Sequence, residues 1–183
     1  MKHLPNILTI MRLFLIPVFV YLFFSGREWA HIYALIIYLL AGLTDVLDGY
    51  LARKYQVISV TGIVLDPLAD KLMLLTALIC LAIDGIVPPW ILAVILAAEG
   101  TLILAGLFMY FRKNKDNIPS NKFGKTATVA FAVAVCLMVL LPTHPVTFGV
   151  LLLALLLKMT SVVSYAKRFI IRHLPKTKKA LKL

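Results

Sequence analysis

The chain is a succession of apolar stretches, each about as long as a bilayer is thick and separated from the next by a few polar residues. A helix crossing the hydrocarbon core needs about 20 mostly apolar residues. Six stretches meet that requirement, at about 6–24, 30–51, 61–83, 89–111, 123–141 and 146–170. Helix breakers fall between them: Ser25-Gly26, Asp84-Gly85 with Pro88-Pro89, and Pro142 with Pro145. Hydrophobic residues make up 62% of the 183, well above the roughly half found in soluble domains. The expected fold is an all-α integral membrane protein, a bundle of six transmembrane helices in one domain covering 1–183, with neither an internal repeat nor a separate soluble domain.

Basic residues orient the bundle. Lys2, Arg12, Arg53, Lys54, Arg112, Lys113, Lys115, Lys122 and Lys125 fall at one end, and the tail from Lys167 to Lys182 adds seven more. The opposite loops hold little besides Arg27. The positive-inside rule then puts both termini in the cytoplasm, with 171–183 as a basic tail on anionic headgroups. The same rule accounts for the net charge of +11 without nucleic acid as a partner. No convincing small-residue cleavage site follows the first stretch, so it reads as a retained helix. Cys80 and Cys136 lie in apolar runs without metal-ligand spacing and read as small core residues. The four histidines also lack ligand spacing, and Trp29, Trp90, Tyr21 and Tyr33 are placed to anchor the outer interface.

Four of the eight carboxylates are crowded into 26 residues at the end of the second stretch and the start of the third. An ionised aspartate near mid-membrane costs about 2.5–3.5 kcal/mol on insertion scales. Asp45 and Asp48 are three apart, and Asp66 and Asp70 four apart, so each pair shares a helix face. A short connection makes the two helices antiparallel neighbours, and the four carboxylates can converge. Hard divalent cations, Mg²⁺ or Mn²⁺, would relieve the repulsion, and two ions suit four carboxylates around a phosphate. The alternative, pairing with Arg53, Lys54 and Lys71, accounts for one or two aspartates but not for four on matched faces. Gly49 and Gly62 permit close approach of a ligand or, alternatively, close helix packing. Arg53 can grip a diphosphate or simply set topology.

The run Asp45-x2-Asp48-Gly49-x2-Ala52-Arg53-x8-Gly62-x3-Asp66-x3-Asp70 resembles, position for position, the signature of the CDP-alcohol phosphatidyltransferase family. Pro5 to Thr9 with Arg12, and Lys122 to Lys125, also look like family segments, so the resemblance covers nearly the whole chain. It implies a phospholipid-synthesising enzyme with two metal ions held by Asp45, Asp48, Asp66 and Asp70, and with Asp70 as general base. It implies contacts to the CDP-lipid from Pro5, Asn6, Ile7, Gly49, Arg53, Ser59 and Gly62, and a homodimer in the bacterial cell membrane with its site at the cytoplasmic interface.

The opening residues, the Leu65 to Lys71 block and the length are most like bacterial members that transfer a phosphatidyl group from CDP-diacylglycerol to glycerol-3-phosphate. An anionic acceptor needs cations, and Lys122, Lys125 and Arg112 are candidates that also serve as topology-setting charges. Glu99 is either an acceptor-site group or the partner of a neighbouring span. Where such members usually carry Arg-Glu in the fourth span, this chain has Ala98-Glu99. Members that use phosphatidylglycerol, making cardiolipin, share the Ala41 to Asp45 approach and are the alternative. A cation-binding transporter is the alternative from another class, but it calls for midplane carboxylates and repeated halves.

Overall fold

The computed structural model describes the backbone of residues 4–55, 60–111 and 122–173, and within these the side chains of 9–47, 68–104, 124, 126–164 and 166–167. The described residues form six helices and no strand: α1 Leu4–Phe23, α2 Ala30–Tyr55, α3 Val60–Ile83, α4 Pro89–Phe111, α5 Lys122–Leu140 and α6 Pro145–His173. All six expected stretches are helical, with ends shifted by four residues at most. The larger extensions come where polar residues continue a helical turn beyond the apolar run, at Tyr55 in α2 and His173 in α6.

The breakers act through ordinary capping chemistry. Beyond the last residue of α3, Gly85 adopts φ 80°. The Ile86 amide donates to Leu81 O at 2.9 Å and the Gly85 amide to Ala82 O at 3.1 Å, which closes the end of the helix with a left-handed glycine. Pro145 occupies the first position of α6, where its missing N–H is no loss. The Thr147 hydroxyl donates to Leu141 O at 3.0 Å and ties that turn back to the end of α5.

Among the described residues helix α3 is the hub, touching α1, α2, α4 and α5, while α4 touches only α3 and α6. The core is built from side chains such as Phe19, Ala34, Ala77, Leu78, Ile91, Phe131 and Leu151, with small residues allowing close approach. The outward surface is apolar as well: Phe14, Val46, Leu104, Val129 and Leu156 are each more than 60% exposed. Apolar exposure on this scale marks a surface meant for something other than water. Two segments, Ala30–Leu47 and Pro145–Ser164, are long and apolar enough to cross a membrane. Exposed Trp29 and Trp90 sit at one end of the bundle, with the Phe23–His31 stack and the 3.6 Å His31–Asp84 contact.

Ala77 is fully buried on the hub helix. Ala77→Leu should cost about 1–3 kcal/mol through overpacking, seen as a lower unfolding midpoint in detergent. Leu104→Ala, on the exposed surface, should leave the midpoint unchanged.

Candidate active site

Helix register places the four aspartates on α2 and α3 as expected. The side chains of Asp45 and Asp70 are described; those of Asp48 and Asp66 lie outside the described set. Asp45 and Asp70 are within electrostatic reach of each other and of Arg12. A cavity of about 30 Å³, room for about one water, lies between α1, α2 and α3. Arg12, Tyr38, Ala41, Gly42, Asp70, Met73 and Leu74 line it. A Cβ added at Gly42 would meet nothing within 4 Å, so the space beside Asp70 is open on that side.

Asp45 and Asp70 each lie ten residues inside the helix end nearer the chain termini, roughly 15 Å along the axis. The carboxylates thus stand deeper than the ends of the apolar stretches implied, because α2 runs on to Tyr55. Asp45 is 40% exposed and its Oδ1 accepts a 2.9 Å contact from Arg12 Nη1, while Arg12 itself is 1% exposed. Arg12 had been counted among the charges that set topology. Instead it is the largest fully buried side chain among the described residues. A loop count registers charge but not depth, and eight residues of helix carry Arg12 about 12 Å inward.

A second charged cluster adjoins the first. Glu99 on α4 is 3% exposed; its Oε1 accepts a hydrogen bond from Lys158 Nζ on α6, and its Oε2 lies 3.2 Å from Lys71 Nζ on α3. Of the two readings of Glu99, the structure gives it partners on neighbouring helices. Lys71, which follows Asp70 directly, forms its ion pair among the described residues with Glu99. Successive residues of a helix diverge by about 100°, so Asp70 serves the α1–α2 side and Lys71 the α4–α6 side. Lys158 escaped sequence reasoning, although a lone lysine within the apolar run of the sixth stretch was the available signal.

The remaining candidates divide by what is described. Pro5, Asn6 and Ile7 occupy the first turn of α1, Gly49 and Arg53 the last turns of α2, and Gly62 the first turn of α3. Lys122 and Lys125 open α5. All are placed by backbone alone, and Ser59 and Arg112 lie outside the described residues. Among the described residues no group of three or more His, Cys, Asp or Glu side chains converges. The described part of the donor set, two neighbouring carboxylates, offers the hard oxygen ligands that Mg²⁺ and Mn²⁺ prefer and no soft ligand, so the residues present fit such an ion.

Comparison with known proteins identifies the family. The CDP-alcohol phosphatidyltransferase family profile matches residues 2–163. The chain is 34% identical over 162 residues to the CDP-diacylglycerol–glycerol-3-phosphate 3-phosphatidyltransferase of Bacillus subtilis, covering 81% of this chain and 83% of that protein. It is 36% identical over 172 residues to a probable phosphatidylglycerophosphate synthase of Mycobacterium tuberculosis, covering 91% and 81%. A relative from Rickettsia typhi, carrying the same name as the Bacillus protein, is 34% identical over 140 residues, covering 76% and 78%. A small pocket lined by Asp70, with Asp45 near it, within an apolar helical bundle suits a lipid phosphotransferase, and the chain belongs to the CDP-alcohol phosphatidyltransferase family.

Glu99→Gln should destabilise the fold by roughly 3–5 kcal/mol, because it strands two lysine charges, one of them buried. Glu99→Gln combined with Lys158→Met should recover most of that loss in a double-mutant cycle read by thermal unfolding.

Proposed function

We propose that the chain transfers the phosphatidyl group of CDP-diacylglycerol to glycerol-3-phosphate, yielding phosphatidylglycerophosphate and CMP. The observation that carries this reading is Asp70, set between an acidic pocket on one side and a lysine-bearing cluster on the other. The names of the relatives support the same donor and acceptor. Six membrane crossings with both termini in the cytoplasm of a bacterial cell, and a homodimeric state, belong to the same proposal. The alternating helices, the apolar outward surface and the basic ends support the topology.

The chemistry is a substitution at the β-phosphorus of the CDP-lipid. The acceptor hydroxyl oxygen forms a bond to phosphorus, the bond from phosphorus to the CMP oxygen breaks, and CMP departs with the electron pair. The hydroxyl proton passes to the Asp70 carboxylate, which raises the nucleophilicity of an otherwise poor attacking group. Asp45, Asp48, Asp66 and Asp70 would hold two Mg²⁺ or Mn²⁺ ions, which supply positive charge to the diphosphate and the leaving CMP. Arg53, with Gly49, Gly62, Ser59 and the Pro5 to Ile7 turn, would bind the CDP portion. Lys122, Lys125 and Arg112 would attract the acceptor. Val46 and Leu47, exposed beside Asp45, offer an apolar face along which acyl chains can remain in the bilayer while the headgroup reaches the carboxylates.

Arg12 has a separate task in this scheme. It pairs with Asp45, and the carboxylate in turn supplies the counter-charge that the buried guanidinium needs.

The deciding assay is CMP release from CDP-diacylglycerol by the purified chain in Mg²⁺, with glycerol-3-phosphate and phosphatidylglycerol offered separately. Turnover is expected with glycerol-3-phosphate, abolished by EDTA and restored by Mg²⁺. Asp70→Asn should lower it by roughly 10²–10⁴-fold, the range for loss of a general base. Turnover with phosphatidylglycerol alone would make the product cardiolipin and overturn the assignment.

A further inference from the structure

We infer that Lys71 is the cation that meets the acceptor's phosphate, and that Glu99 and Lys158 are positioning residues that hold it beside Asp70. The inference rests on the reading above and adds the group that selects an anionic acceptor. Lys158 and Glu99 are almost fully enclosed, at 5% and 3% exposure, so their hydrogen bond is shut away from any ligand. Lys71 differs, being 30% exposed. It lies 3.2 Å from Glu99 Oε2, a single ion-pair contact. An ammonium carries three N–H groups, so one contact to Glu99 leaves others for a further acceptor. Three donors on a flexible stem can serve a phosphate.

Charge accounting points the same way. The Glu99 cluster, as described, is one carboxylate with two lysines, Lys71 and Lys158. That cluster carries one net positive charge in an apolar bundle, and Lys71 adjoins the proposed general base in sequence. A phosphate-bearing acceptor satisfies it and a neutral alcohol does not. Placing Glu99 on α4 and Lys158 on α6 gives Lys71 a rigid backing from two further helices. A lysine side chain alone is too mobile to orient an acceptor hydroxyl toward phosphorus.

The test uses the full chain in detergent with Mg²⁺ and compares the wild type with Lys71→Met, Lys71→Arg, Lys158→Met and Glu99→Gln/Lys158→Met. Lys71→Met should raise KM for glycerol-3-phosphate by roughly 10- to 100-fold, the loss of one charge-assisted hydrogen bond, with KM for CDP-diacylglycerol within about twofold of wild type. Lys71→Arg should recover part of the loss. The double variant, which removes both backing charges together, should recover most of the stability lost in Glu99→Gln and still show a raised acceptor KM. A wild-type acceptor KM in folded Lys71→Met, or in the double variant, would overturn the inference. Binding is read independently by thermal unfolding with inorganic phosphate. Protection of the wild type but not of Lys71→Met supports the subsite even if no acceptor gives CMP, and equal protection of both refutes it.

Discussion

Charge inside an apolar bundle is the constraint around which this molecule is arranged. In lipid there is no hydrophobic force between helices, because the tails are as apolar as leucine, and association relies on close packing and polar contacts. Here the polar contacts are ion pairs between helices. Arg12 joins α1 to α2 through Asp45, and Glu99 joins α4 to both α3 and α6. The second link is the more consequential, since among the described residues α4 touches no other helices. A single carboxylate with two lysines thus ties the outlying helix to both of these neighbours.

The hub helix turns this constraint into chemistry. Asp70 and Lys71 are adjacent in sequence and diverge around α3, so one turn of helix serves two charged clusters. One cluster brings the carboxylates of Asp45 and Asp70 near each other, and the other sets one carboxylate between two lysines. A reaction that joins a diphosphate-activated lipid to an anionic alcohol needs both kinds of environment within a few ångströms. The described charged groups stand on helical backbone whose hydrogen bonds are internally satisfied, as a membrane setting demands.

The location of the pocket fits a substrate that never leaves the bilayer. The carboxylates lie about 15 Å inside the helix ends, yet Asp45 keeps 40% of its side chain exposed. It opens beside residues whose outward faces are apolar. A lipid headgroup can come to such a site from the side while its chains remain among their own kind, and a small polar acceptor can arrive along the helices from the basic end.

Much of this was legible in the sequence. Six apolar lengths, glycine and proline at their limits and the i,i+3 and i,i+4 spacing of the aspartates are local properties, so helix positions and the shared face of each acidic pair follow from chain geometry alone. Which charges meet is another matter. Arg12 reads as a surface cation until α1 is packed against α2, and Glu99 reads equally as ligand or partner until α4 lies between Lys71 and Lys158. Lys158 is 59 residues from Glu99, and no spacing rule reaches across that separation. Its role exists only because α6 comes back to α4, and burial then requires each charge to find its opposite.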